Sequence, residues 1–98
     1  MAAYLYGDIE ITDPDLYETY RLQVPPIIAA HGGRYLVRGG APELLEGEGE
    51  PRRQVLLEFP TMAQLRAFYD GPDYAPLKAL RQRASLGRLV AVEGAAPQ

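Results

Sequence analysis

The chain has 98 residues, of which 47% are apolar and 23% are charged, and its formal net charge is −3. This composition predicts one small soluble domain rather than a disordered or membrane-spanning chain. The absence of cysteine excludes disulfides, thiolate nucleophiles and sulfur-ligated metals. No basic cluster provides the positive footprint of nucleic-acid binding, so we expect neither a nucleic-acid nor a membrane partner. The first residues lack the features of a signal peptide, which predicts a cytoplasmic protein.

The amino-terminal third of the chain predicts a strand followed by a helix. Polar and apolar residues alternate from Ala3 to Ile11, which is the two-residue period of a strand. Asp13 is a good helix N-cap, and Pro14 suits the first helical turn. Apolar side chains then recur at helical spacing, but the Pro25-Pro26 pair predicts a kink or a restart.

The segment from His31 to Gly40 ends this helix and begins a second strand. Gly32 and Gly33 supply the backbone freedom that helix ends use, and residues 34–38 alternate between polar and apolar. By this alternation Arg34, Leu36 and Arg38 share one face of the strand. The segment therefore carries much of the polar chemistry of the chain.

The second half of the chain repeats the pattern of strand, helix and strand. An exposed, glutamate-rich loop is predicted for residues 41–51, and a largely apolar, central strand for residues 53–59. A helix begins near Pro60-Thr61, a short helix begins at Pro76, and a fourth strand covers residues 86–92. We predict a single domain over residues 1–94 and a flexible tail over residues 95–98.

The order of these elements predicts an α+β fold of the ferredoxin-like type, β-α-β-β-α-β. Its antiparallel sheet has four strands in the order 4-1-3-2, with helices on one face only. The other face would carry either the Tyr6, Leu36 and Leu56 set or the Leu5, Val37 and Leu57 set. Because both sets are apolar, we expect a homodimer joined through the uncovered sheet faces.

Three stretches together resemble a known family. They are Thr12-Asp13-Pro14 with Tyr17 and Tyr20, the block from Pro25 to Gly40, and Glu58-Phe59-Pro60 followed by Phe68 to Tyr74 and Leu77. The sequence resembles the family called domain of unknown function 1330. This resemblance implies the dimeric α+β barrel superfamily but no settled activity. Relatives in that superfamily include cofactor-independent monooxygenases, and a shared fold makes this an analogy only. In one departure from the family, the loop at Glu48-Gly49-Glu50 carries no aromatic residue.

His31 and Tyr74 are the candidate catalytic residues. His31 is the one histidine and follows a helix, so it serves either as a cap or as a general acid or base. The spacing of histidine and carboxylate residues supports no metal site. Ser85 lies outside any nucleophile elbow, and the glycines of residues 32–40 do not form a phosphate loop, so we expect no cofactor.

Arg38 is the leading candidate for ligand binding. Glu58 lies on the neighbouring strand, so Arg38 either forms a structural ion pair with Glu58 or binds an anionic ligand. Asp8 could join either arrangement. The tyrosines at positions 6 and 69, with Tyr74, are predicted to line a pocket, whereas Tyr17 and Tyr20 are expected in the core.

Three functions fit these residues. The first is binding of a small organic molecule, with an anion preferred, in a pocket between helices and sheet. The second is a cofactor-independent enzyme, of monooxygenase or isomerase type, that uses His31 or a tyrosine as acid or base. The third is a structural or regulatory dimer without a ligand.

Overall fold

Four antiparallel strands form one sheet, and helices cover one of its faces. The structure is a computed structural model that describes residues 1–96. Because only one face is covered, the molecule has two layers and measures 37 × 36 × 17 Å. The elements are β1 (Ala3–Ile11), α1 (Pro14–Gln23), α2 (Pro25–Ala30), β2 (Arg34–Arg38), β3 (Arg53–Phe59), α3 (Met62–Tyr69), α4 (Ala75–Ala84) and β4 (Ser85–Glu93).

The helix boundaries follow from local side-chain chemistry. The Asp13 carboxylate accepts a hydrogen bond from the Leu16 backbone N–H at 3.1 Å, which caps α1. Thr61 caps α3 in the same way through the Gln64 backbone N–H. Helix α1 ends at Gln23 with Val24 as its C-cap, and Pro25 starts α2 as a separate short helix. The predicted restart at the proline pair is therefore confirmed.

The strand order is β2-β3-β1-β4, which is the predicted order. The helices cover the face that carries the odd-numbered residues of β1, so Leu5 and Ile9 are buried while Tyr6 is exposed. Leu57 and Phe59 of β3 join this core, where Phe59 packs against Phe68 of α3 with ring centroids 5.4 Å apart. The ferredoxin-like α+β fold is confirmed.

A β-bulge in β2 changes which residues share a face. Arg34 lies opposite Glu58 and Tyr35 opposite Leu57, but the pairing then resumes with Val37 opposite Leu56 and Arg38 opposite Val55. The inserted residue, Leu36, reverses the alternation for the rest of the strand. The prediction that Arg34, Leu36 and Arg38 share one face is therefore wrong. Arg38 lies on the helix side, with Tyr35.

The uncovered side of the sheet is rich in apolar side chains. By its register it combines Tyr6 and Leu56 with Val37, rather than with Leu36 as predicted. We call this surface the open face, and its exposed or half-exposed apolar residues are Tyr6, Val37, Leu56, Leu86, Val90 and Val92. Within residues 1–96, no helix is long and apolar enough to cross a membrane. The last two residues of the predicted tail, 97 and 98, lie outside the described residues.

Candidate functional site

A cavity of about 40 Å³ lies between the helices and the sheet. One water molecule needs about 10–15 Å³ in this measure, so the cavity has room for a few small atoms. Its apolar wall includes Leu5, Ile9, Val24, Ile28 and Leu57. Its polar groups are all arginine and tyrosine side chains: Arg21, Arg38, Arg53, Arg81, Tyr17, Tyr20, Tyr35 and Tyr74. Within residues 1–96, no aspartate or glutamate lines it.

Arg53 is the most unusual of these side chains. It opens β3 in the same register as Val55 and Leu57, so its side chain lies on the helix side of the sheet. Its guanidinium carbon lies 5.5 Å from the centroid of the Tyr17 ring. Its Nε is buried and has no hydrogen-bond partner among the described residues. An unsatisfied charged donor of this kind is costly, because a buried polar group normally has a partner.

Gly39 makes room for the Arg53 guanidinium. Its backbone has φ +71°, and a Cβ at this position would come within 2.5 Å of Nη1 of Arg53. The Gly39 N–H also donates to the Gln54 carbonyl at 2.7 Å, which holds the end of β2 against β3. Glycine at this position therefore combines a left-handed turn with close approach of a charged group.

Arg38 reaches the cavity from β2 because of the bulge. Its Nη2 donates to the Arg21 carbonyl at 3.0 Å, and its guanidinium carbon lies 4.6 Å from the centroid of the Tyr35 ring. Burial raises the pKa of Tyr35, so this phenol stays neutral near pH 7. Arg38 is thus oriented by a carbonyl and an aromatic face, and it has no carboxylate partner among residues 1–96.

Arg21 differs from the other arginines because a carboxylate neutralises it. Its Nη2 and Nε donate to the two Glu18 oxygens at 2.6 and 2.8 Å. This hydrogen bonding lowers the pKa of Glu18, and the charges of Arg38 and Arg53 lower it further. Glu18 therefore lies within electrostatic reach of the cavity arginines, but its oxygens are already used by Arg21.

A chain of three polar groups forms the second polar part of the cavity. The Tyr20 and Tyr74 hydroxyls lie 2.9 Å apart, and Nε of Arg81 donates to the Tyr74 hydroxyl at 3.3 Å. Tyr74 and Arg81 are buried, with 2% and 9% of their surface exposed. Burial, followed by the neighbouring Tyr74, raises the pKa of Tyr20 above its ordinary value of 10.0. Tyr20 therefore acts as a neutral donor or acceptor near pH 7.

The structure places the predicted site residues in several different locations. Arg38 and Tyr74 line the cavity. His31 does not, because its Nε2 lies 3.2 Å from a carboxylate oxygen of Asp73. Tyr69 lies beside Tyr74 and carries the Lys78 ammonium 4.2 Å above its ring. The acid-base role of His31 stays a prediction that no cavity contact supports.

The other three predicted residues lie on the open face. Tyr6 donates to Gln54 Oε1 at 2.6 Å, and Asp8 accepts from Nε of Arg52 at 3.4 Å. Glu58 accepts from Nε of Arg34 at 2.8 Å. The Arg38–Glu58 ion pair, one of the two predicted roles of Arg38, therefore does not form. The bulge turns Arg38 to the opposite face and leaves Arg34 beside the Glu58 carboxylate.

Sequence reasoning missed Arg53, Arg81 and Tyr20 as cavity residues. For two of them a signal was present. Arg53 shares its register with Val55 and Leu57, and Arg81 occupies an apolar stripe of α4 that includes Leu77. A charged residue at an apolar position of an amphipathic element marks a buried charge that needs a partner. Tyr20 carries no comparable signal, because tyrosine is common on the apolar face of a helix that packs against a core.

The fold and the family can now be stated. The antiparallel sheet with helices on one face is that of the dimeric α+β barrel proteins. The chain belongs to the family described as "domain of unknown function (DUF1330)", which matches residues 2–95. A comparison with curated proteins finds no match. Within residues 1–96, no group of three or more histidine, aspartate or glutamate side chains could hold a metal ion.

Similar solved structures support this fold assignment. RPA0582 of Rhodopseudomonas palustris, a protein of unknown function, matches with TM-score 0.78 and 17% identity over 98% of this chain and 84% of that chain. SnoaB of Streptomyces nogalater, a cofactor-independent oxygenase, matches with TM-score 0.67 and 11% identity over 98% and 95%. Rv0793 of Mycobacterium tuberculosis matches with TM-score 0.61 and 12% identity over 99% and 98%. At such low identity these matches establish the fold alone.

Proposed function

We propose that this protein binds a small organic anion in the cavity between its helices and its sheet. The observation that carries the proposal is the buried Nε of Arg53, which has no partner in the described part of the chain, residues 1–96. The cavity around it is lined there by arginines and by no carboxylate side chain. The net charge of the chain is −3, so a general excess of positive charge does not account for this clustering. An anion would supply the missing acceptor.

The size of the cavity restricts the ligand. Pockets for drug-sized molecules measure about 300–1,000 Å³, far more than the 40 Å³ found here. A carboxylate on a short carbon chain fits better, with its oxygens near Arg53 and its carbon atoms against Leu57 and Val55. Arg38, which is exposed, stands where it can contact an anion that enters.

We also propose that two copies associate through their open faces. Val90 and Val92 of β4 are 41% and 51% exposed, Tyr6 of β1 lies opposite Val90, and Leu56 of β3 lies opposite Tyr6 on its other side. Burying these side chains against a second copy is favourable at about 25 cal/mol per Å². Since the cavity lies on the opposite side of the sheet, dimerisation leaves it free to bind.

A cofactor-independent enzyme is the second candidate function. One observation favours it: two hydrogen-bonded tyrosines, Tyr20 and Tyr74, face the cavity with Arg81 behind them. Such a group can stabilise negative charge on an oxygen atom. Among the described residues, neither His31 nor any carboxylate side chain lines the cavity. An acid-base role there would therefore fall to the tyrosines.

The test is thermal unfolding in the presence of short carboxylic acids and their uncharged amides. At 100 times its dissociation constant a ligand stabilises the folded state by about 2.7 kcal/mol. We expect stabilisation by acids such as propionate, none by propionamide, and loss of the effect in Arg53→Met. Arg83→Met, which changes an exposed arginine of α4, is the matched control and should respond like the wild type.

Two outcomes would contradict the proposal. Equal stabilisation by acid and amide would show that charge is not recognised. If short carboxylic acids still stabilise the Arg53→Met variant, the anion does not bind at Arg53. If no small acid changes the melting temperature, a structural or regulatory dimer without ligand becomes the better account.

A further inference from the structure

The hydroxyls of Tyr20 and Tyr74 carry one hydrogen more than their own contacts use. Each phenol carries one hydrogen, and the Tyr20–Tyr74 contact at 2.9 Å uses one of the two. The Tyr74 oxygen also accepts from Nε of Arg81. No other side chain or carbonyl among residues 1–96 accepts a hydrogen bond from either phenol. One phenolic hydrogen of this pair therefore has no acceptor among residues 1–96, whichever tyrosine supplies it, and both tyrosines line the cavity.

The cavity thus has two unsatisfied polar regions of different character. One is the cationic region at Arg38 and Arg53, where the Nε of Arg53 has no partner. The other is the neutral donor of the tyrosine pair, which Arg81 polarises from behind. Apolar side chains such as Val24 and Leu57 complete the wall.

We propose that the ligand is an oxo acid, with its carboxylate at the arginine region and its carbonyl oxygen at the Tyr20–Tyr74 pair. This inference rests on the proposed function, since it assumes that an anion enters this cavity. A carboxylate satisfies the arginines, and a carbonyl oxygen is the simplest acceptor for a single neutral donor. The tyrosine pair distinguishes an oxo acid from a simple alkanoate. The same hydrogen bond polarises the carbonyl group of the bound ligand.

The binding experiment uses matched pairs of acids with the same number of carbon atoms. Pyruvate is compared with propionate, and acetoacetate with butyrate, by titration calorimetry on the full chain. We expect at least one oxo acid to bind about tenfold more tightly than its alkanoate, because a site built for a hydrogen bond penalises a ligand that lacks the acceptor. The pair with the largest ratio of dissociation constants shows which spacing between carboxylate and carbonyl group matches the two polar regions.

The variant that tests the tyrosine contribution is the double change Tyr20→Phe with Tyr74→Phe. A single change leaves one phenol and its hydrogen in place, so both must be replaced. The preference for the oxo acid should disappear, while the affinity for the alkanoate should stay within about twofold. Tyr69→Phe, next to the cavity but outside its lining, is the matched control and should keep the preference.

A spectroscopic measurement on the wild type keeps the proposal testable if the double variant does not fold. A hydrogen bond to a carbonyl oxygen moves the carbonyl 13C resonance downfield, so a carbonyl-labelled oxo acid should show such a shift when bound. No preference for any oxo acid, an unshifted carbonyl resonance, or a preference that survives in the double variant would overturn the inference. If alkanoates bind through Arg53 and oxo acids gain nothing, this inference fails and the proposed function stands. If no acid binds through Arg53, the proposed function itself fails.

Discussion

The arginines on the two faces of the sheet differ in their side-chain partners. On the open face Arg34 pairs with Glu58 near the end of β3, and Arg52, just before the start of β3, contacts Asp8 and Glu10. On the helix side Arg38 and Arg53 contact aromatic rings, and Arg38 also donates to the Arg21 carbonyl. No carboxylate pairs with either arginine among residues 1–96. The charges of the open face are thus largely satisfied within the chain. In the cavity, by contrast, the buried Nε of Arg53 has no partner among residues 1–96.

The strongest effect is expected from a charge placed on the open face. Val90 lies opposite Tyr6 in the sheet, so Val90→Asp would put a carboxylate inside the proposed dimer interface. Burying an unpaired charge costs several kcal/mol, so we expect the molar mass to fall from near twice 10.8 kDa to 10.8 kDa. Light scattering over a range of concentrations measures this. Leu22→Asp, an equally apolar exposed position on α1, should remain dimeric. A wild type that is monomeric at every concentration would contradict the interface.

A smaller effect is expected from Gly39→Ala, which acts on the other face. The positive φ at this position costs an L-residue about 1 kcal/mol, and the new methyl group would displace the Arg53 guanidinium. We therefore expect a modest loss of unfolding free energy together with a loss of acid binding. Chemical denaturation and calorimetry measure the two. Gly47→Ala provides the control, because Gly47 also has positive φ but no neighbour within 4 Å of the added methyl. Equal acid binding in the two variants would show that the Arg53 position is unimportant.

The Arg34–Glu58 ion pair of the open face predicts that the free energy of unfolding depends on pH in the acid range. Hydrogen bonds from Arg34 and then Tyr4 hold the pKa of Glu58 below its ordinary value of 4.5. Because the pKa is lower in the folded state, this contribution is fully present above 4.5 and is lost as the pH falls through the folded value. Glu58→Gln should therefore flatten the acid side of the stability curve. Glu46→Gln, in the exposed loop, should leave the curve unchanged. A wild-type slope in Glu58→Gln would contradict the pairing.

The smallest effect on stability is expected from Arg53→Met without ligand. The change removes a buried unsatisfied donor, which favours folding, and a contact with the Tyr17 ring, which disfavours it. These contributions nearly cancel, so we expect a change within about 1 kcal/mol by chemical denaturation. A decrease of several kcal/mol in the free energy of unfolding would show that Arg53 stabilises the fold, and would contradict a role in ligand binding alone.

The sequence predicts most of the fold because each element carries its own local signals. Asp13 and Thr61 cap helices, the proline pair divides the first one, and alternation marks the strands. The bulge at Leu36 has no such signal, because an inserted residue depends on how β2 meets β3. The alternation therefore predicts the wrong face for Arg38, and the ion pair with Glu58, one of its two predicted roles, does not form.

The candidate site is predicted less well, for a related reason. Arg38 and Tyr74 were identified, but Tyr6, Asp8 and Glu58 lie on the opposite face of the sheet. Residues that meet in a cavity come from separate elements, so their contact depends on packing that no single stretch encodes. Arg53 and Arg81 are the exceptions, because each breaks an apolar pattern that is visible in the sequence alone.

The most direct measurement of the central claim is the Nε–H resonance of Arg53 in a two-dimensional 1H–15N spectrum. Its assignment follows from the signal lost in Arg53→Lys. We predict that propionate moves this signal downfield, as its carboxylate becomes the missing acceptor. The Nε–H of Arg66, whose guanidinium is already paired with Asp70 at 2.8 Å, should stay in place. An Arg53 signal that does not move at saturating propionate would contradict the claim that this cavity binds an anion.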